Sequence, residues 1–230
     1  MTAHEHSETP APAEYWEDRY GGSEQMWSGR VNAVLADVAS TLPAGRALDL
    51  GCGEGGDVIW LAQRGWAATG IDISATAVRR AAEAAHAAGL DASRAEFRVA
   101  DLSQLELEDR FDLVTTSFLH SPVELPRERI LRLAAERVAP GGHLLITSHA
   151  APPPWARDED EHEHRHDDEH ERRHADMNFP SPEEDLAALE LDGTEWETRL
   201  LEVRERFAVG PDGAEAVLSD GVVLVRRRGA

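Results

Sequence analysis

The stretch Ala47-Leu48-Asp49-Leu50-Gly51-Cys52-Gly53-Glu54-Gly55-Gly56 constrains this chain more than any other. An apolar run ends in an acid, breaks into glycines and turns helical from about Asp57, which spells strand, tight turn and helix. Glycines belong where a backbone turns sharply and approaches a ligand with no Cβ in the way, and the helix start beyond them presents unpaired N–H groups. A second strand, Ala67 to Ile71, delivers Asp72 to the same rim, where a carboxylate can accept both hydroxyls of a ribose. Read literally, Gly51, Gly53 and Gly56 also satisfy the dinucleotide fingerprint G-x-G-x-x-G, so an NAD(P)-dependent oxidoreductase competes for the loop.

Charge weighs against the phosphate-bearing ligand. Asp49, Glu54 and Asp57 crowd three carboxylates around the glycines, an arrangement that repels a pyrophosphate and suits a cation. The pattern D-x-G-x-G-x-G, formed by Asp49, Gly51, Gly53 and Gly55, resembles the first motif of the class I S-adenosylmethionine-dependent methyltransferases. That resemblance implies an α/β, Rossmann-like fold with a seven-stranded sheet of order 3-2-1-4-5-7-6, helices on both faces and an N-terminal helical cap. It implies S-adenosyl-L-methionine as cofactor, held by the motif itself and by Asp72 with Ile73. It also places Asp101, with Leu102, at the adenine amino group, although strand ends favour a turn acid there in any case. Tyr15, Trp16, Tyr20 and Trp27, interrupted by Gly21-Gly22, resemble the N-terminal cap of the small-substrate tellurite-resistance and thiopurine methyltransferases, with Trp27 closing over the donor.

Along the chain, strand and helix patterns alternate, which predicts a parallel sheet with right-handed crossovers. Residues 1–12 read as a frayed N-terminus and 13–230 as one domain, in which 13–45 is the cap and a helix spanning Val31 to Leu42. Phe111 to Thr116 is the fourth strand, leading into Ser117, Phe118, Leu119 and His120. Pro126 to Val138 reads as a helix, Pro140-Gly141-Gly142 as a turn and His143 to Ser148 as the fifth strand, tipped by His149. Ser181, Pro182 and Glu184 spell a capping box, and Gly210-Pro211-Asp212-Gly213 joins two long extended segments into a hairpin.

Ligands of open α/β sheets bind beyond the carboxyl ends of the strands, so Ser117 belongs at the donor and His120 and His149 are the candidate general bases for a hydroxyl or amine acceptor. A thiolate or a chalcogen oxyanion needs no base. Arg204 and Arg206 either attract an anionic acceptor or are simply solvated. The aromatic cap suggests, through the same resemblance, a small-molecule acceptor.

The net charge of −21 argues against nucleic acid or an anionic membrane surface as partners. A single cysteine, Cys52, excludes an intramolecular disulfide and favours a reducing, cytoplasmic setting; it reads as a small apolar filler more readily than as a reactive thiol. The segment 151–179 interrupts an otherwise economical fold. It carries the charge run Asp158 to His174, in which His162, His166, His170 and His174 recur at spacing four. As a helix, the run would offer ligands to a divalent metal; its composition suits a solvated lid better. A non-catalytic donor-binding or metal-binding protein is the alternative that this run leaves open.

Overall fold

The computed structural model describes residues 10–152, 179–209, 213 and 215–229. Helix α1 (Pro12–Gly21) and helix α2 (Ala33–Ala39) precede the first strand. Then follow β1 (Arg46–Leu50), α3 (Gly56–Gln63), β2 (Ala67–Asp72), α4 (Ala75–Ala87) and β3 (Ala95–Val99). A short 3-10 turn (Leu102–Gln104) leads to β4 (Phe111–Ser117), α5 (Arg127–Glu136) and β5 (Val138–His149). The chain closes with α6 (Pro182–Ala188), β6 (Trp196–Val209) and β7 (Glu215–Arg227).

The strands form a seven-stranded sheet of order β3-β2-β1-β4-β5-β7-β6, the order expected by resemblance. β1 to β5 run parallel, while β7 is antiparallel to β5 and β6 antiparallel to β7. Because both faces are covered, the central strands read as apolar runs rather than alternating ones: Leu48, Leu50, Leu113, Val114, Leu144, Leu145 and Ile146 are all fully buried. On one face Leu35, Val38, Val58 and Leu61 of α2 and α3 meet the sheet. On the other, Ile130, Leu131 and Ala134 of α5 join Leu189 beyond α6.

Among the boundaries that differ from the sequence reading, α5 ends at Glu136 and Val138 already belongs to β5, and two further differences have a local reason. The helix expected over Val31 to Leu42 spans only Ala33–Ala39. The Asn32 side chain accepts from Val34 N and Leu35 N at its start, and the Ser40 and Thr41 hydroxyls donate back to the carbonyls of Ala36 and Val38 at its end. Pro140-Gly141-Gly142 does not separate a turn from a strand. It lies inside β5, where the pairing with β4 jumps register between Phe111 and Leu113. The capping box of α6 forms as expected, with Ser181 N donating to Glu184 Oε2 at 2.7 Å and Glu184 N to Ser181 Oγ at 3.2 Å. The N-terminal helix starts at Pro12, at the edge of the segment expected to fray; most of that segment, most of the 151–179 insertion and most of the hairpin turn lie outside the described residues.

Candidate methyl-donor site

The carboxyl ends of β1, β2, β4 and β5 open into a cavity of about 1350 Å³. Its floor is the glycine loop. Gly53 has φ +51°, and a Cβ there would lie 2.9 Å from the Tyr20 hydroxyl and 3.2 Å from the Trp27 ring, so the aromatic segment rests directly on the loop. Gly55, at φ +81° as the N-cap of α3, plays another part: a Cβ would meet Ala81 and Phe97 at 2.8 Å, which is packing against α4 and β3. Unlike Gly51 and Gly53, Gly55 does not line the cavity.

Three acids around the floor are buried, and their environments differ. Asp72 accepts from Gly53 N at 2.9 Å with one oxygen and from Ser74 N at 3.0 Å with the other, so the glycine loop and the start of α4 hold it by backbone bonds. Asp57 accepts from Asn32 N and from Ser117 Oγ, both at 2.7 Å, which ties Ser117 to α3. Asp49 is 3% exposed, and its Oδ1 has no hydrogen-bond partner among the described residues. Burial, aggravated by the neighbouring charges of Asp57 and Asp72, pushes the Asp49 carboxyl well above the usual carboxylate range; burial also raises Asp57 and Asp72. A buried acid with an unmet acceptor in a cavity wall calls for a cation or a hydrogen-bond donor.

The wall facing the loop is the aromatic segment. Trp27 Nε1 donates to the Tyr20 hydroxyl at 2.9 Å. Glu54 accepts from Met26 N and Trp27 N and pairs with Arg80 at 3.0 Å, so this acid holds the cap down and its charge is compensated. On α1, Glu17 accepts from Ser74 Oγ, Thr76 N and Thr76 Oγ1 at 2.6–3.1 Å, docking that helix on the start of α4. Hydrogen bonds from Thr76 and Ser74 hold its carboxyl down at about 2. Arg19 lines the cavity, and its Nε finds no partner among the described residues.

The far end of the cavity is built from β4, β5, β6 and β7. Phe118 follows β4 at φ 55°, an uncommon conformation for a bulky residue. Its ring stacks on His149 at 4.2 Å, His149 lies 5.7 Å from the near-parallel ring of His120, and the Arg206 guanidinium lies 5.4 Å from the Phe118 ring centre. Arg127 fixes the loop from beneath: Nε donates to Leu119 O at 3.1 Å, and the guanidinium pairs with buried Asp185 and donates to Ser148 Oγ at 2.7 Å.

A methyltransferase domain model matches residues 47–142. Over 115 residues the chain is 40% identical to a 2-heptyl-1-hydroxyquinolin-4(1H)-one methyltransferase of Mycobacteroides abscessus, covering 48% of this chain and 49% of that protein. It is 30% identical over 151 residues to a thiocyanate methyltransferase of Brassica oleracea, covering 59% and 66%. The chain thus spans about half of one curated relative and about two thirds of the other. A solved structure described for the conversion of a disulfide bond into a thioacetal group during echinomycin biosynthesis superposes with a TM-score of 0.70, at 26% identity over 94% of this chain and 91% of that one. These matches, with the seven-stranded sheet order, support a class I S-adenosylmethionine-dependent methyltransferase domain in this chain.

In this methyltransferase, Trp27, Asp49, Gly51, Gly53, Asp72, Ile73, Asp101, Leu102, Ser117, His120 and His149 all line the one cavity. Asp101 also behaves as the turn acid its position favours, accepting from Ser103 N at 2.8 Å to start the 3-10 turn. Cys52 is buried, and burial pushes its thiol well up, as befits a filler. Arg204 and Arg206 are not simply solvated: Arg204 pairs with Glu202 and Asp37, and Arg206 with Asp220. Residue patterns gave no hint of Arg19, Asp220 or the Arg127–Asp185 pair, since nothing local marks them. Among the described residues no group of three or more His, Cys, Asp and Glu could hold a metal, and no helix is long and apolar enough to cross a membrane. The histidine run on which the metal reading rests lies outside the described residues.

Proposed function

We propose that this chain transfers a methyl group from S-adenosylmethionine to a small-molecule acceptor. The observation that carries the reading is the buried Asp49 carboxylate, with an oxygen left unpartnered in the wall of a glycine-floored cavity. An α-ammonium or sulfonium suits that oxygen; a pyrophosphate would meet Asp49, Asp57 and Asp72 together, which disfavours the nicotinamide alternative. The chain's own groups fit the rest of the donor. The Asp72 carboxylate in the cavity wall suits the ribose hydroxyls, Asp101 and Leu102 the adenine, and Arg19 a carboxylate, with Tyr20 and Trp27 as cover.

When bound, the donor supplies a methyl group already activated by the adjoining sulfonium. The protein's share is alignment and exclusion of water. Phe118, held at positive φ in contact with Arg206 and His149, together with the Arg127 bond to Leu119 O, gives the acceptor end a fixed shape. Methyltransferases named for a hydroxyquinolone and for thiocyanate support a small acceptor.

The test is formation of S-adenosylhomocysteine by the full chain with isotopically methyl-labelled donor and a panel of small hydroxyl, thiol and halide acceptors. Acceptor-dependent product in the native protein and its loss in Asp49→Asn are expected. Transfer at full rate in Asp49→Asn would refute the role given to that carboxylate.

A further inference from the structure

Sheet register brings four polar side chains, His149, Asp220, Arg204 and Arg206, together at the acceptor end. His149 pairs directly with Asp220 across β5 and β7, Arg204 faces Asp220 across β6 and β7, and Arg206 lies two residues along on the same face. The contacts follow from that placement. His149 Nδ1 lies 3.4 Å from Asp220 Oδ1, and Arg206 Nε donates to Asp220 Oδ2 at 2.5 Å. The Asp220 side chain is 3% exposed.

The two histidines are thereby distinguished. His149 N donates to His120 Nε2 at 3.2 Å, so His120 spends that lone pair on the backbone and carries no proton there. With its proton on Nδ1, facing the Asp220 carboxylate, His149 would present Nε2 as the basic nitrogen. That nitrogen makes no hydrogen bond among the described residues, and His149 lines the cavity. Its ring stacks with those of Phe118, at 4.2 Å, and His120, at 5.7 Å.

Resting on the methyl-transfer reading, we propose that the acceptor is a protic nucleophile, a weakly acidic hydroxyl such as a phenol, deprotonated by His149 Nε2, with Asp220 and Arg206 as positioning residues. The acceptor's O–H proton passes to Nε2 as its oxygen forms the new O–C bond; the old C–S bond breaks with its electron pair going to sulfur. The imidazolium so formed is balanced by Asp220, which stays an acceptor because Arg206 donates to its second oxygen. A thiolate or halide acceptor would have no use for this constellation. Among the described residues, the titratable and charged groups around His149 are Asp220 from β7, Arg206 from β6, which pairs with Asp220, and His120 from the loop after β4.

The experiment combines three readouts on the full chain: calorimetry with S-adenosylhomocysteine, long-range ¹H–¹⁵N spectra of the histidines, and kcat and KM for naphthols against thiophenol and iodide. Expected are donor binding in all variants, an Nδ1-protonated His149 that loses this tautomer preference in Asp220→Asn, and naphthol methylation. In His149→Gln, kcat for naphthol should fall by about 10²–10⁴ with KM little changed, and thiophenolate at high pH by less than about tenfold. A His149 protonated on Nε2 alone, equal losses for both acceptors, or turnover of thiophenol and iodide only would overturn the proposal. Absence of donor binding in the native chain would instead sink the methyl-transfer reading. Should Asp220→Asn fail to fold, His149→Gln and the native spectrum still decide.

Discussion

The two ends of the cavity are built in opposite ways. The donor end comes from neighbouring segments: β1, the glycine loop and the end of β2 lie within twenty-odd residues, and the carboxylates are held by backbone N–H groups such as Gly53 and Ser74. The acceptor end is assembled from residues as far apart as Phe118, His149, Arg206 and Asp220, held by ring stacking and ion pairs between side chains. A backbone-held site is written into a short motif; a side-chain-held site exists only once sheet register is set.

The comparison can be broken hardest at Asp185. Removing it in Asp185→Ala leaves Arg127 buried and unpaired beneath Leu119, and about 3–5 kcal/mol of stability should be lost, read as a lower midpoint in urea unfolding. Asp185→Asn, a milder change, should keep S-adenosylhomocysteine affinity within about tenfold of native while acceptor KM rises, because the donor end does not use this pair. Equal loss at both ends would mean the cavity is one cooperative unit.

At the donor end, Asp72→Ala should weaken S-adenosylhomocysteine binding by about 100-fold, equivalent to roughly 3 kcal/mol, since it removes both the charged acceptor and the bonds that set Gly53 and Ser74. Calorimetry on the folded variant checks this. Smaller effects come from the cap of α2, where Asn32→Ala should cost about 1 kcal/mol of stability, measured by denaturant melts.

Proton linkage sharpens the contrast further. Asp49, Asp57 and Asp72 have raised folded values, so a cationic donor bound beside them should release protons, and its affinity should increase with pH just above the ordinary carboxylate range. Calorimetry in buffers of different ionisation enthalpy reads this directly. Glu17 has the opposite sign. Its folded value of about 2 lies below 4.5, so the docking of α1 is complete above pH 4.5 and is lost as pH falls through 2, a dependence that Glu17→Gln should remove from Trp fluorescence.

The same division explains what could be read from residues alone. Strand order, the glycine loop and the placement of Asp49, Asp72 and Asp101 follow from local patterns, because each is a turn or strand end with its own chemical signature. Arg127 finds Asp185 58 positions away, and His149 finds Asp220 71 positions away; no local period encodes either meeting. Even at the donor end, contacts made by two residues are not legible in the composition. Glu54 counts as an anion beside the ligand until Arg80 and the Met26 and Trp27 amides are seen to occupy it, and Gly55 counts as loop floor until Phe97 and Ala81 are seen against it.

The central claim is that a carboxylate-walled glycine cradle selects a cationic methyl donor over a phosphate-bearing nucleotide. Titration calorimetry of the full chain with S-adenosylmethionine and, separately, NADH tests it most directly. The account predicts saturable S-adenosylmethionine binding, weakened in Asp49→Asn, and none with NADH; NADH binding without S-adenosylmethionine binding would contradict it.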